Sequence, residues 1–356
     1  MAELELSLHN IHPYPCKFPP SVVKKYLKKE QILLDPYCGS GTTLLEGAQK
    51  AREVYGFDCN PIAKLISDCK LLDLEKLEID LINEITSLGK LLKLNSNTTD
   101  FRLHEFDGRD HWFSPQAQRE FAILLDILGN FERMSQNWIL IATTISAITN
   151  QYSNQDSETR YAAVEKDIKP NDILLAFSRK IGKNIQSLQK RGKLVAQKHY
   201  VGLGDIRNGL NLPDQHVDIV ITSPPYANTM DYYLYHKQRM NLLGFDFKDI
   251  QRQEIGSRHQ FSSKKDSKEI WDKDYSKAMQ MIIKTLKSDG KAYFVIGDSR
   301  IAGEHIDGGE LTVRSAENLG LRAKILESVS MTGKSRTFRA SFQAPNKFEH
   351  VVEIQL

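Results

Sequence analysis

Apolar and polar positions follow two different patterns along the 356-residue chain. Short apolar runs bounded by turn residues predict strands at 32–34, 53–58, 200–205, 217–222 and 291–298. Apolar positions at helical spacing dominate instead between about 71 and 195. We therefore predict an α/β protein in which a helical insertion, residues 71–195, interrupts a strand-rich part formed by residues 1–70 and 196–356.

The strand-rich part begins with a βαβ pattern. The first strand ends at Asp35, the turn "DPYCGSGTT" opens a helix, and the second strand ends at Asp58, about 23 residues later, which suits one crossover. Near the carboxyl end, "RAKILESVSM" and "KFEHVVEIQL" predict an antiparallel hairpin. Residues 250–275 are polar and poor in apolar spacing, which predicts a mobile loop.

Composition narrows the class of protein only moderately. A hydrophobic content of 40% and a charged content of 26% are typical of globular domains, and a net charge of +3 permits a polyanionic partner without requiring one. The four cysteines form no C-x-x-C pair, and His236 has no second ligand at metal-binding spacing, so we predict neither a zinc site nor another metal. No secretory leader and no run of about 18 apolar residues occurs, which predicts a cytoplasmic protein without a membrane span.

Two loops that follow predicted strands carry candidate chemistry. Gly39 and Gly41 lack the spacing of a P-loop and lack the third glycine of a dinucleotide fingerprint. Their context is more informative, because a ligand on the glycine turn would lie near Asp58, a position suited to ribose hydroxyls. The second loop, "TSPPY", must end its strand before Pro224, because proline has no N–H for the sheet.

These segments resemble a known family. "DPYCGSGTT" resembles the cofactor motif of S-adenosylmethionine-dependent amino-methyltransferases that act on nucleic acid, and "TSPPY" resembles their catalytic motif. "HPYPCKFPP" looks like the segment that closes over the methionine moiety, and "GLGDIRNG" looks like the motif whose acid, here Asp205, reaches the adenine amino group. The resemblance covers residues 12–61 and 201–236. It implies a Rossmann-like methyltransferase fold with a mainly parallel seven-stranded sheet that ends in an antiparallel hairpin.

The resemblance also implies S-adenosylmethionine as the cofactor and assigns residues to it. Among these, Asp35 can accept a hydrogen bond from an ammonium group, and the glycines allow close approach of the backbone. The positions implied to bind the cofactor are Lys17, Phe18, Asp35, Pro36, Tyr37, Gly39, Ser40, Gly41, Thr42, Asp58, Cys59, Asn60, Asp205 and Ile206.

The "TSPPY" loop has the groups that methylation of an exocyclic amino group requires. The lone pair of such a nitrogen is delocalised into the base, and two acceptors for its N–H groups favour a pyramidal, nucleophilic nitrogen. The Ser223 hydroxyl and the Pro224 carbonyl are those acceptors, Pro225 stiffens the loop, and Tyr226 offers a flat face for a flipped base. These four residues are the predicted catalytic set.

The choice of substrate rests on the first residue of this loop. In the resembling family serine is most often associated with cytosine N4, which favours an N4-cytosine DNA methyltransferase acting on a flipped cytosine in duplex DNA. Adenine N6 in DNA and an amino group in RNA remain alternatives of the same chemistry. A non-catalytic nucleic-acid-binding protein is an alternative of another class. A cognate restriction endonuclease is left open as a partner.

Basic residues cluster in three places that could follow phosphates. One cluster lies between 171 and 200 and includes Arg179 and Lys180, although such a run is usually a solvated helix face. A second lies in the hairpin connection, with Lys334, Arg336 and Arg339, and a third within 250–265. By elimination, the helical insertion is the predicted target-recognition region.

Overall fold

The computed structural model describes residues 8–97, 101–156, 162–257, 267–301, 304–331 and 347–356. The chain divides into two compact units. The sheet unit contains Phe18–Asn60, Val195–Tyr232 and Arg252–Leu356, and the helical unit contains Met1–Lys17, Pro61–Leu194 and Tyr233–Gln251. The helical unit therefore contains nearly all of the predicted insertion together with three further stretches, 1–17, 61–70 and 233–251, which the sequence pattern assigns to the strand-rich part.

Strands and helices are numbered here in chain order. The strands are β1 Ile32–Asp35, β2 Glu53–Asp58, β3 Lys198–Leu203, β4 Val217–Thr222, β5 Leu286–Gly297, β6 Ser299–Ile301, β7 Glu304–Ile306, β8 Arg322–Ser330 and β9 Phe348–Gln355. The helices are α1 Pro20–Tyr26, α2 Thr42–Ala48, α3 Pro61–Lys70, α4 Ile79–Ile85, α5 Leu88–Asn97, α6 Arg109–Trp112, α7 Pro115–Gly129, α8 Gln136–Tyr152, α9 Asp172–Arg191, α10 Tyr232–Leu243, α11 Phe247–Gln253, α12 Ser267–Lys284 and α13 Gly308–Asn318.

The sheet unit is built on a seven-stranded sheet in the order β3-β2-β1-β4-β5-β9-β8. Strands β3, β2, β1, β4 and β5 pair in parallel, whereas β9 pairs antiparallel with both β5 and β8. The predicted fold is thereby confirmed, including the terminal hairpin. A separate two-stranded ribbon, β6 with β7, follows β5.

The strand order reverses between β1 and β4. From β1 the chain proceeds outward through β2 to β3 and then returns to pair β4 with the other side of β1, with Leu33 opposite Ile219. The carboxyl ends of both strands therefore open at the same edge of the sheet. In open α/β sheets this reversal leaves a crevice in which ligands bind.

One predicted loop is wrong. Within the polar stretch 250–275, α11 continues to Gln253 and α12 occupies the stretch from Ser267 onward, while residues 258–266 lie outside the described part of the chain. Trp271, Tyr275, Ala278 and Met279 are buried at helical spacing, and the first two rings stack with centroids 4.7 Å apart. The apolar face of α12 begins only at Trp271. The stretch 250–275 therefore contains only the first two buried positions of this helix, Trp271 and Tyr275, too few to show the helical spacing.

The core of the sheet unit surrounds the central strands. Leu34, Val220, Phe294 and Val352, on four neighbouring strands, belong to one buried cluster together with residues of α12. Apolar positions that are buried on both faces of parallel strands explain why these strands were recognisable as near-continuous apolar runs. The rigid sheet fixes the positions of the loops that leave its carboxyl edge.

The helical unit is organised around α8, which is buried along most of its length. Helix α8 packs against α3, α7 and α9, and Ser135 begins it by accepting a hydrogen bond from the amide of Trp138. Glu120 on α7 is fully buried and accepts hydrogen bonds from the amides of Asn171, Ile173 and Leu174 at the start of α9. Among the described residues, none of the helices has the length and apolar character needed to cross a membrane.

Candidate active site

The glycine turn after β1 has a backbone that favours glycine. Gly39 and Gly41 have φ angles of 49° and 72°, in the left-handed region. The turn is closed by a 2.7 Å hydrogen bond from the amide of Gly41 to the carbonyl of Cys38, and the amide of Cys38 donates to Phe57 on β2 at 2.9 Å. The turn is therefore tied to both neighbouring strands and leads directly into α2.

Asp58, at the end of β2, is bonded to this turn. Its carboxylate accepts hydrogen bonds from the amides of Gly39 at 2.9 Å and Asn60 at 2.8 Å. Burial raises the pKa of Asp58 to about 6, although both amides favour the ionised form. The acid is ionised at neutral pH, and its environment leaves that charge incompletely solvated. A ligand that donates hydrogen bonds to it would relieve this penalty.

Asp35, at the end of β1, joins the two loops of the site. Its Oδ1 accepts a 2.7 Å hydrogen bond from Thr222 Oγ1, the last residue of β4, and a 3.2 Å bond from the amide of Tyr37. Asp35 is only 3% exposed, and burial raises its pKa to about 6, with a further contribution from the charge of Asp58. An ammonium group would be a favourable partner for this buried carboxylate.

Asp205 follows β3, and the amide of its neighbour Gly204 donates to the Asp58 carbonyl at the end of β2 at 3.0 Å. The Asp205 carboxylate accepts a hydrogen bond from the amide of Arg207 at 2.9 Å and forms a two-pronged ion pair with the Arg207 guanidinium. Arg207 also binds the Asp274 carboxylate at 2.6 Å and the Gln253 carbonyl at 3.0 Å. An adenine amino group at Asp205 would therefore donate to a carboxylate that is already paired with the Arg207 guanidinium.

The loop after β4 positions the predicted catalytic residues. Ser223 Oγ donates to the Tyr226 hydroxyl at 3.4 Å, and the Tyr226 hydroxyl donates to Glu349 Oε1 on β9 at 2.8 Å. The Tyr226 ring packs over Gly297, where an added Cβ would lie 2.7 Å from a ring carbon. Glu349 and Gly297 were missed by the sequence reasoning, because both lie far along the chain from the "TSPPY" loop and reach it only through the β5–β9 pairing.

The residues after Tyr226 are also fixed. Asn228 has a φ of 54°, its amide donates to the Gly256 carbonyl at 2.8 Å, and its side chain donates to the Arg300 carbonyl at 2.9 Å. These bonds tie the loop to two other segments of the sheet unit. The "TSPPY" loop thus leaves β4 as a braced turn.

The structure brings most of the predicted cofactor positions into the sheet unit. Pro36, Tyr37, Ser40, Thr42, Cys59, Asn60 and Ile206 flank the three acids on the loops after β1, β2 and β3. Burial raises the pKa of the Tyr37 hydroxyl, and the charge of Asp205 adds to this effect. Burial and the charge of Asp58 likewise raise the pKa of the Cys59 thiol, which is therefore protonated at neutral pH.

Residues before α1 fall on both sides of the division between units. Phe18 opens the sheet unit, whereas Lys17 closes the first segment of the helical unit. The Lys17 amine donates to the His9 carbonyl and to Asn10 Oδ1, and burial lowers its pKa.

The predicted nucleic-acid contacts are only partly described. Arg179 is exposed on α9, whereas the neighbouring Lys180 is partly buried and donates to the Asn10 carbonyl at 3.1 Å. Burial lowers the pKa of Lys180 to about 8. The other three predicted contacts, Lys334, Arg336 and Arg339, lie outside the described residues.

A cluster of metal-ligand type lies beside β9. Ligand atoms of Asp298, Asp307 and His350 lie within 4.8 Å of one another. Asp298 also accepts from the amides of Gly308 at 3.2 Å and Phe348 at 2.9 Å and from His350 Nε2 at 3.0 Å. These bonds join β5, β9 and the start of α13, so the cluster has a structural explanation.

The chain is similar to several known proteins. The family model N6_N4_Mtase, described as DNA methylase, matches residues 5–67. The chain is 25% identical over 243 residues to type II methyltransferase M.MvaI of Kocuria varians, covering 62% of this chain and 53% of that protein. It is 23% identical to type II methyltransferase M.MjaII of Methanocaldococcus jannaschii, and the match covers 82% of this chain and 72% of that protein. It is 26% identical to type II methyltransferase M.BsoBI of Geobacillus stearothermophilus, and the match covers 68% of this chain and 54% of that protein.

The chain spans about half the length of two of these relatives and about three quarters of the third. The chain is thus similar to a DNA methylase family over residues 5–67 and to three type II methyltransferases over longer stretches. The matched segment of the family model contains the glycine turn and Asp58.

Proposed function

We propose that this chain is an S-adenosylmethionine-dependent DNA methyltransferase that modifies the exocyclic N4 amino group of cytosine. The observation that carries the proposal is the 2.7 Å hydrogen bond from Thr222 to Asp35 at the strand-order reversal. It joins the loop suited to binding the methyl donor to the loop suited to binding the amino group that accepts the methyl. Two motifs about 180 residues apart in sequence thus meet at one edge of the sheet.

The residues of the donor half fit S-adenosylmethionine. Asp35 is a buried carboxylate beside the glycine turn, which suits the ammonium of the methionine moiety, and Asp58 suits the ribose hydroxyls. Thr42, at the start of α2, is 2% exposed, and its Oγ1 has no hydrogen-bond partner among the described residues. A polar ligand on the turn would satisfy it. When bound, S-adenosylmethionine supplies an electrophilic methyl group.

The acceptor half supports an amino group as the substrate. Ser223 Oγ and the Pro224 carbonyl accept its two N–H groups, and Tyr226 provides the face on which a flipped base stacks. Serine at the first position of the motif favours cytosine N4 through the family resemblance. The relatives are named type II methyltransferases, so we include a cognate restriction endonuclease as a proposed partner.

The helical unit is the proposed target-recognition region. The exposed Arg179 on α9 is the described candidate for a phosphate contact, with Lys180 beside it. Such contacts give affinity that falls with salt, whereas sequence is read from base edges.

The test is transfer of a labelled methyl group. The full chain is incubated with methyl-labelled S-adenosylmethionine and either mixed-sequence duplex DNA or total RNA, and the products are digested to nucleosides for mass spectrometry. Label in N4-methyldeoxycytidine is the expected result. Label in N6-methyldeoxyadenosine would overturn the choice of base, label only in RNA would overturn the substrate class, and no label would overturn the activity. The Ser223→Ala variant provides the background.

A further inference from the structure

Methylation of an amino group leaves the nitrogen with one proton more than the neutral product has. As the new N–C bond forms and the C–S bond of the donor breaks, positive charge develops on the amino nitrogen, so loss of one N–H proton in the same step lowers the barrier to transfer. Neutrality returns only when one N–H proton departs. The inference below rests on the proposed function and concerns the path of that proton.

Three side chains form a hydrogen-bonded series that starts in the catalytic loop. Ser223 Oγ donates to the Tyr226 hydroxyl at 3.4 Å, and that hydroxyl donates to Glu349 Oε1 at 2.8 Å. Both hydroxyl donors in the series are directed toward the carboxylate end. Glu349 is partly exposed at the start of β9, so it can exchange protons with solvent.

We propose that Glu349 is the terminal proton acceptor of a relay that removes the excess proton from the amino group as it is methylated. The nitrogen gives its proton to Ser223 Oγ, the Ser223 proton passes to the Tyr226 oxygen, and the Tyr226 proton passes to the Glu349 carboxylate. Each hydroxyl gains one proton and loses one, so both end neutral. Glu349 ends protonated and returns its proton to water.

The surroundings of Tyr226 suit this role. Burial raises the pKa of its hydroxyl well above the ordinary value, and the neighbouring Glu349 charge acts in the same direction. The phenol therefore stays protonated and passes a proton on only as it receives another. Gly297 allows the ring to lie close to β5, and this packing holds the hydroxyl toward Glu349.

The competing explanation is that Glu349 only anchors the ring. The same unit contains another tyrosine–glutamate pair that provides a matched control: the Tyr26 hydroxyl donates to Glu327 on β8. No residue of the "TSPPY" loop takes part in the bonds described for that pair. A conservative change at Glu327 therefore alters a similar contact without touching the proposed relay.

The experiment measures single-turnover methyl transfer to duplex DNA at saturating S-adenosylmethionine from pH 6 to 9. Glu349→Gln keeps an oxygen for the tyrosine hydroxyl but removes the proton acceptor, and Tyr226→Phe keeps the ring but breaks the series. Both variants should be at least about tenfold slower near pH 7 and should recover toward the wild-type rate as pH rises, because hydroxide replaces the missing base. Glu327→Gln should match the wild type throughout.

A wild-type rate for Glu349→Gln would overturn the relay. A rate lowered by the same factor at every pH would also overturn it, because a carboxylate that merely anchors the ring has no reason to change the pH profile. Absence of transfer by the wild-type chain would instead refute the proposed function, and the relay with it. Calorimetric titration of S-adenosylmethionine should give the same affinity for Glu349→Gln and wild type.

Discussion

Replacement of Asp35 by asparagine should make the protein more stable while weakening its binding of the methyl donor. The pKa of Asp35 is raised from an ordinary value of 3.8 to about 6, chiefly by burial. A difference of about two pKa units corresponds to about 3 kcal/mol by which the fold disfavours the ionised acid. Asparagine has no charge to bury, and its oxygen can still accept from Thr222 and from the Tyr37 amide.

The pH dependence follows from the direction of this shift. Between about pH 4 and pH 6 the folded protein holds a proton on Asp35 that the unfolded chain has lost, so the stability contributed by Asp35 falls as pH rises through this window. Asp35→Asn and the wild type should be similar near pH 4. Above pH 7 the variant should be more stable by up to about 3 kcal/mol.

Urea unfolding at pH 4.5 and pH 7.5 measures this difference in the free energy of unfolding. The control is Asp214→Asn. Asp214 is exposed, and the ion pair described for it is a 3.4 Å contact with the exposed Lys284. Titration calorimetry of the same proteins measures donor affinity, which should fall for Asp35→Asn alone. A variant that is less stable than the wild type at pH 7.5, or a stability difference that does not change with pH, would refute this reasoning.

Three further outcomes test the rest of the site. Asp58→Ala should weaken S-adenosylmethionine binding by about tenfold or more, because charge-assisted hydrogen bonds are lost, and calorimetry showing equal affinity would remove it from the site. Ser223→Ala should lower turnover at least about tenfold with donor affinity unchanged; undiminished turnover would exclude its role. Gly297→Ala should lower turnover, because the added Cβ would displace the Tyr226 ring. The control is Gly182→Ala, which should have no effect because an added Cβ there meets nothing within 4 Å. Equal turnover rates for the two variants would contradict the packing argument.

The sheet could be predicted because its strands carry strong local signals. The run that ends at Thr222 stops where proline follows, and the turn after Asp35 contains glycines at the positions that require a left-handed backbone. The strand order could not be read from these signals, since pairing β4 with β1 depends on contacts between segments about 180 residues apart.

The same limit applies to the site. Asp35, Asp58 and Ser223 stand within recognisable motifs, whereas Glu349 is one of several acids on a terminal strand. Only its pairing opposite Gly297 brings it to Tyr226. Arg207 stands within a recognised motif, but its ion pair with Asp205 depends on side-chain geometry that spacing does not reveal.

The central claim is that the loops after β1 and β4 form one methyl-transfer site. A crystal structure of the chain in complex with S-adenosylmethionine tests it most directly. The account predicts that the donor lies on the turn of Gly39 and Gly41, with its ammonium at Asp35, its ribose at Asp58 and its methyl group facing Ser223. A donor bound elsewhere, or one whose methyl group faces away from the Ser223–Tyr226 loop, would contradict it.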